Sequence, residues 1–128
     1  MYHYKNISTE QAKRILESKS CIVFDIRDDN SYKQGKLLGA LRFNDQMVLR
    51  MRKSGERNAP ILIYCYHGNS SKDIAQMLCN FGFSNVYNLV GGYTEWKAKV
   101  SKQFLETPIK PHVKAQDVAI ALNAGSSL

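Results

Sequence analysis

Cys65, Tyr66, His67, Gly68, Asn69, Ser70 and Ser71 follow directly on the apolar run Pro60, Ile61, Leu62, Ile63, Tyr64. The order is a thiol at the end of a strand, a short polar loop, and two hydroxyl residues where a helix can begin. A cysteine so placed faces the backbone N–H groups of its own loop and the positive end of the following helix. Both favour thiolate over thiol near neutral pH. The chemistry open to it is nucleophilic attack by sulfur. Gly68 allows positive φ, which lets consecutive amides turn inward. Ser70 and Ser71 can donate hydroxyl hydrogen bonds, and Ser70 with Asp73 three residues on has capping-box spacing. The loop holds no arginine, so anion binding falls to its amides and hydroxyls, with His67 or Lys72.

The remaining candidate residues are few. Asp25, Arg27, Asp28 and Asp29 crowd the end of another apolar run, Cys21 to Ile26. Asp25 and Arg27 are expected to support the loop by hydrogen bonds and an ion pair. Cys21 and Cys79 read as ordinary buried thiols. Three cysteines without a C-x-x-C pair argue against a disulfide framework and fit a reducing cytoplasm. His3, His67 and His112 make no helical i, i+4 pair, so no metal site is expected.

The elements that must position these residues alternate between strand and helix. Ser8 with Gln11 forms a capping box for a helix carrying Ala12, Ile15 and Leu16. Cys21 to Ile26 reads as a buried parallel strand. Ser31 to Gly35 is one or two helical turns, Gly39 to Asn44 a weaker strand, and Gln46 to Lys53 a helix. Pro60 to Tyr64 is a strand, and Ser70 to Phe81 a helix ended by Gly82. Asn85 to Leu89 is a strand, and Gly91-Gly92 turns into a helix from Tyr93 to about Lys102. Tyr93 and Trp96 are expected in the core. This order implies an α/β domain with a mostly parallel sheet flanked by helices, and sites in such sheets form at the C-terminal strand ends. The domain is expected over residues 1–103. Residues 104–128 form a partly flexible extension, with a short amphipathic helix over Val113 to Asn123.

Taken together, these segments resemble the rhodanese family, and within it the single-domain GlpE-type thiosulfate sulfurtransferases. The resemblance spans about Ile7 to Lys102 and rests on four motifs in order. They are the 65–71 loop, Asp25-Ile26-Arg27 with Tyr32 and Gly35, Gly39-Ala40, and Gly91-Gly92-Tyr93 with Trp96. Gly35-Lys36-Leu37 stands where the family often has G-H-I. The resemblance implies a three-layer rhodanese-like domain and a Cys65 persulfide, formed from thiosulfate and passed to cyanide or another thiophilic acceptor. It implies a substrate cradle from Tyr66, His67, Gly68, Asn69, Ser70 and Ser71, with no metal or organic cofactor. A protein thiol is a possible acceptor. A sulfur-relay carrier fed by or feeding another protein is the alternative. A phosphatase or arsenate reductase would need a longer loop and an arginine to grip the oxyanion, and a binding module would not need the cysteine.

Composition sets the outer bounds. At 128 residues the chain can build one core. No transmembrane helix or secretory leader is expected. The net charge is +7, and its excess lies in residues 1–102, densest from Arg42 to Arg57 with Arg50, Arg52 and Lys53 between. That region could steer a small anion or dock an acidic protein. No aromatic interleaving or reader motif points to nucleic acid.

Overall fold

The centre of the fold is the strand Ile61–Tyr64 (β5), whose four residues are all buried. Its alternation serves two cores. Ile61 and Ile63 face a cluster with Phe24, Val48, Ala75 and Leu78, while Leu62 and Tyr64 face one with Ala12, Leu89 and Trp96. A computed structural model describes residues 2–18, 20–55, 57–100 and 104–106. In chain order the other elements are β1 Lys5–Ile7, α1 Thr9–Ser18, β2 Ile22–Asp25, α2 Asp29–Gln34, β3 Lys36–Leu37, β4 Leu41–Arg42 and α3 Asp45–Ser54. After β5 come α4 Ser71–Asn80, β6 Val86–Leu89, α5 Gly92–Lys99 and β7 Leu105–Glu106. Among the described residues the main sheet runs β1-β6-β5-β2-β4, every pair parallel. Residues of α1 and α5 pack into one core and those of α3 and α4 into the other, which gives the expected three layers.

Local signals account for most boundaries. Ser8 N–H donates to Gln11 Oε1 at 2.9 Å and Gln11 N–H to Ser8 Oγ at 3.2 Å, a complete capping box. Asn44 caps α3 through Met47 N–H at 3.0 Å. Gly82 ends α4 with φ +98°.

Three differences from expectation concern the periphery. β1 has the sequence of a polar lead, with two of its three residues exposed; it pairs with β6 by register rather than by apolar content. α5 stops at Lys99, short of Lys102, with Val100 extended. The chain packs on the domain beyond residue 103. Leu105 and Glu106 pair antiparallel with Leu37 and Lys36, and Phe104 is buried edge-on to Trp96. The carbonyl of Phe104 accepts from Leu38 N–H at 2.9 Å and Trp96 Nε1–H at 3.3 Å. The helix expected over Val113 to Asn123 lies outside the described residues.

Candidate active site

Residues 65–70 leave the C-terminal end of β5 and turn directly into α4. Their path is held from outside by α5. The N–H groups of Tyr93 and Thr94 donate to the carbonyls of Cys65 and Tyr66 at 2.8 and 3.1 Å. These are first-turn amides that no intrahelical acceptor can satisfy. Gly92 permits the approach, since a Cβ there would collide with the Cys65 carbonyl oxygen.

Further along, the amides face the sulfur. Gly68 N–H reaches Cys65 Sγ at 3.1 Å and Ser71 N–H at 3.4 Å, and the His67 N–H adds a third donor. Gly68 holds φ +90° to do so, and a Cβ there would meet the Leu89 carbonyl oxygen at 2.8 Å. Glycine is therefore required on two counts. Ser71 Oγ lies 3.2 Å from Sγ. Burial alone pushes the Cys65 thiol up. The Ser71 hydroxyl and the amides of Ser71, Gly68 and His67 outweigh it and hold the thiol below its ordinary value. The other two thiols show what burial does where such donors are few: Cys21 has one backbone hydrogen bond, at Leu62, to set against it, and burial is the one cause acting on Cys79. Desolvation pushes Cys21 up to about 11 and raises Cys79 as well.

Ser70 does not act as expected. It occupies the N-cap position of α4, but its backbone is helical (φ −64°, ψ −30°) and its side chain makes no capping bond. A capping side chain normally comes from an extended residue. Here Cys65 Sγ takes the first-turn amide of Ser71 instead, so the sulfur sits at the positive end of the helix. Ser70, His67 and Asn69 are exposed at the rim.

Asp25 and Arg27 form a buried pair. Arg27 donates from Nε and Nη2 to both Asp25 oxygens, at 3.1 and 2.7 Å, and from Nη2 to the Gly35 carbonyl at 2.5 Å. Tyr64 O–H donates to Asp25 Oδ2 at 2.5 Å and accepts from Leu37 N–H at 3.2 Å. The ion pair is thus as expected, but its hydrogen bonds run to Tyr64 and Gly35 and not, among the described residues, to 65–71. It meets the loop through rings. The Arg27 guanidinium lies 3.9 Å from the Tyr93 ring centre, 5.5 Å from Tyr64 and 5.6 Å from Tyr66. Tyr66 in turn donates its O–H to Asp28 Oδ1 at 2.6 Å and contacts Ser31 Oγ. Arg27, Ser31, Tyr66, Tyr93 and Lys97 are among the residues lining a cleft of about 420 Å³ beside the loop.

Sequence reasoning does not single out Tyr64, Tyr93 or Asn88 as site residues. Tyr64 and Tyr93 carry the ordinary marks of core aromatics. Asn88 is the legible one: an amide inside an otherwise apolar strand needs a partner, and it bonds to Ser71 Oγ and Gly68 O. Among the described residues no three of His, Cys, Asp and Glu gather as a metal site, and no helix is long and apolar enough to cross a membrane.

A family model described as a rhodanese-like domain matches residues 8–99. The chain is 38% identical over 96 residues to the thiosulfate sulfurtransferase GlpE of Shewanella oneidensis, covering 75% of this chain and 95% of the relative. It is 40% identical over 98 residues to the protein of the same name from Pseudomonas entomophila, covering 77% and 89%. The solved rhodanese-like domain of an Anabaena sp. protein is similar at a TM-score of 0.69 and 26% identity, covering 86% of this chain and 84% of that one.

Proposed function

The chain belongs to the rhodanese-like family, and on that premise we propose that it is a thiosulfate sulfurtransferase working through a persulfide on Cys65. The Cys65 thiolate attacks the outer sulfur of thiosulfate. The donor's S–S bond breaks, its electron pair leaves with sulfite, and Cys65 keeps the transferred sulfur as a persulfide anion. Cyanide or another thiophile then attacks that terminal sulfur and leaves with it, returning the thiolate. Donor and acceptor are small molecules.

The observation that carries this reading is the placing of Cys65 Sγ under the Gly68 and Ser71 amides and beside the Ser71 hydroxyl. Donors so aimed stabilise negative charge on sulfur without reorganising as it develops. Tyr66, His67, Asn69 and Ser70 at the rim are the proposed contacts for the donor's sulfonate end, with Gly68 and Ser71 inside. Asp25 and Arg27 are proposed as support, acting through Tyr64, Tyr66 and Tyr93. A thiolate that must stay reduced between turnovers fits a reducing cytoplasm.

Thiocyanate production from thiosulfate and cyanide tests the assignment. The native chain turns over, Cys65→Ser does not, and Cys79→Ser keeps most of the rate; turnover by Cys65→Ser would sink the mechanism. Exposed Arg50, Arg52 and Lys53 on α3 favour a second reading, in which the acceptor is an acidic protein thiol. Transfer to such a protein would outpace transfer to cyanide and weaken with added salt.

A further inference from the structure

Asn88 lies on β6, fully buried, and all of its amide is used. Nδ2 donates to the Gly68 carbonyl at 3.1 Å and to Asn6 Oδ1, on β1, at 2.9 Å. A carbonyl can only accept, so the bond to Gly68 fixes which end of the amide is nitrogen. Oδ1 therefore faces Ser71 Oγ, and since Oδ1 can only accept, the Ser71 hydroxyl donates to it. The same hydroxyl oxygen lies 3.2 Å from Cys65 Sγ. It carries one proton and has two acceptors for it once Cys65 is ionised.

We propose that Asn88 is a positioning residue for sulfur transfer: its carbonyl oxygen holds the Ser71 hydroxyl proton while Cys65 is a thiol and yields it to the sulfur when the thiolate or persulfide anion forms. In the thiol state Cys65 S–H donates to Ser71 Oγ, which donates to Asn88. On ionisation the thiol proton goes to solvent. Ser71 keeps its own proton and only turns, because a hydrogen bond to an anion is stronger than one to a neutral amide. The other half of the amide anchors the Gly68 peptide, whose N–H points at the same sulfur. The inference rests on Cys65 as the reactive thiol.

The test is a double-mutant comparison, because the two halves of Asn88 act in opposite directions. Losing the competing acceptor frees the hydroxyl for the thiolate, and losing the anchor loosens the Gly68 amide. Only the first effect needs Ser71. The pH midpoint of Cys65 alkylation by iodoacetamide, resolved by peptide mass, is read in the native chain, Asn88→Ala, Ser71→Ala and the double variant. The other ionisable side chains of the loop and of the elements packed on it, Tyr66, His67, Tyr64, Tyr93, Asp25 and Arg27 among them, are common to all four and cancel. With Ser71 present, Asn88→Ala is expected to leave the midpoint lower than its effect in the Ser71→Ala background would give. The expected difference is about threefold or more in thiolate fraction on the sloping limb. Equal shifts in both backgrounds would overturn the proposal. If Asn88→Ala does not fold, Asn88→Asp replaces it. It keeps the acceptor, grips the hydroxyl proton harder, and raises the midpoint more with Ser71 present than in the Ser71→Ala background; parity again overturns. Alkylation needs a thiolate but no sulfur donor, so a failure of thiosulfate turnover would count against the proposed function and leave this comparison intact.

Discussion

Three cysteines sit in one small domain, and hydrogen-bond donors decide which of them is held below its ordinary pKa. Cys79 and Cys21 have burial acting on them with little to oppose it, while Cys65 has burial opposed by a hydroxyl and three amides. A lower pKa means more thiolate at any given pH, so the alkylation limb moves toward acid. Cys65 is expected to alkylate at the lowest pH of the three and Cys21 at the highest, with its midpoint at about 11. Following each thiol by peptide mass across pH checks this, and a Cys65 limb coincident with that of Cys79 would refute it. The proposed nucleophile was legible because its neighbours in sequence are its neighbours in space. The hydroxyl pair was only half legible. Sequence spacing favours Ser70 as the cap, but the helical backbone there turns it to the rim, and Ser71 goes inward to Sγ and Asn88.

Helices whose caps are local differ from those whose caps are not. Ser8 and Gln11 close a reciprocal box on α1, and the residues that do so are three apart in the chain. Ser8→Ala is therefore expected to cost about 1 kcal/mol. Ser70→Ala is expected to fall within about 0.5 kcal/mol of native, as for a surface change away from any such feature. Denaturant titration of both variants distinguishes them, and an equal cost would mean Ser70 caps after all. Strand pairing that joins distant segments left little trace in the sequence. β3 and β7 are two residues each and lie far apart in the chain, so no local periodicity announces them. Their contribution is measurable by truncation. Ending the chain after Glu106 is expected to keep cooperative unfolding near the native midpoint. Ending it before Phe104 removes a buried aromatic that packs on Trp96, an expected loss of about 3–5 kcal/mol. Equal stability for the two truncations would show that β7 contributes nothing.

At the scale of the molecule, the parallel sheet brings three strand ends to one edge. β5 delivers Cys65, β2 delivers Asp25 and Arg27, and β6 delivers Asn88 and the backbone against which Gly68 packs. Alternation of strand and helix in the sequence was enough to place the first two together, since sites in such sheets form where strands end. It could not show that β1 would supply Asn6 to the same cluster, because that edge strand is too polar to read as one. The net charge of +7 suits a donor that arrives as a dianion and a product that leaves as one. If this edge holds sulfur on Cys65, the mass of the intact native chain after incubation with thiosulfate, read beside that of Cys65→Ser, will show it. The expected result is a gain of one sulfur atom in the native chain alone, removed by cyanide with release of thiocyanate; a gain in both proteins, or in neither, would rule out a persulfide on Cys65.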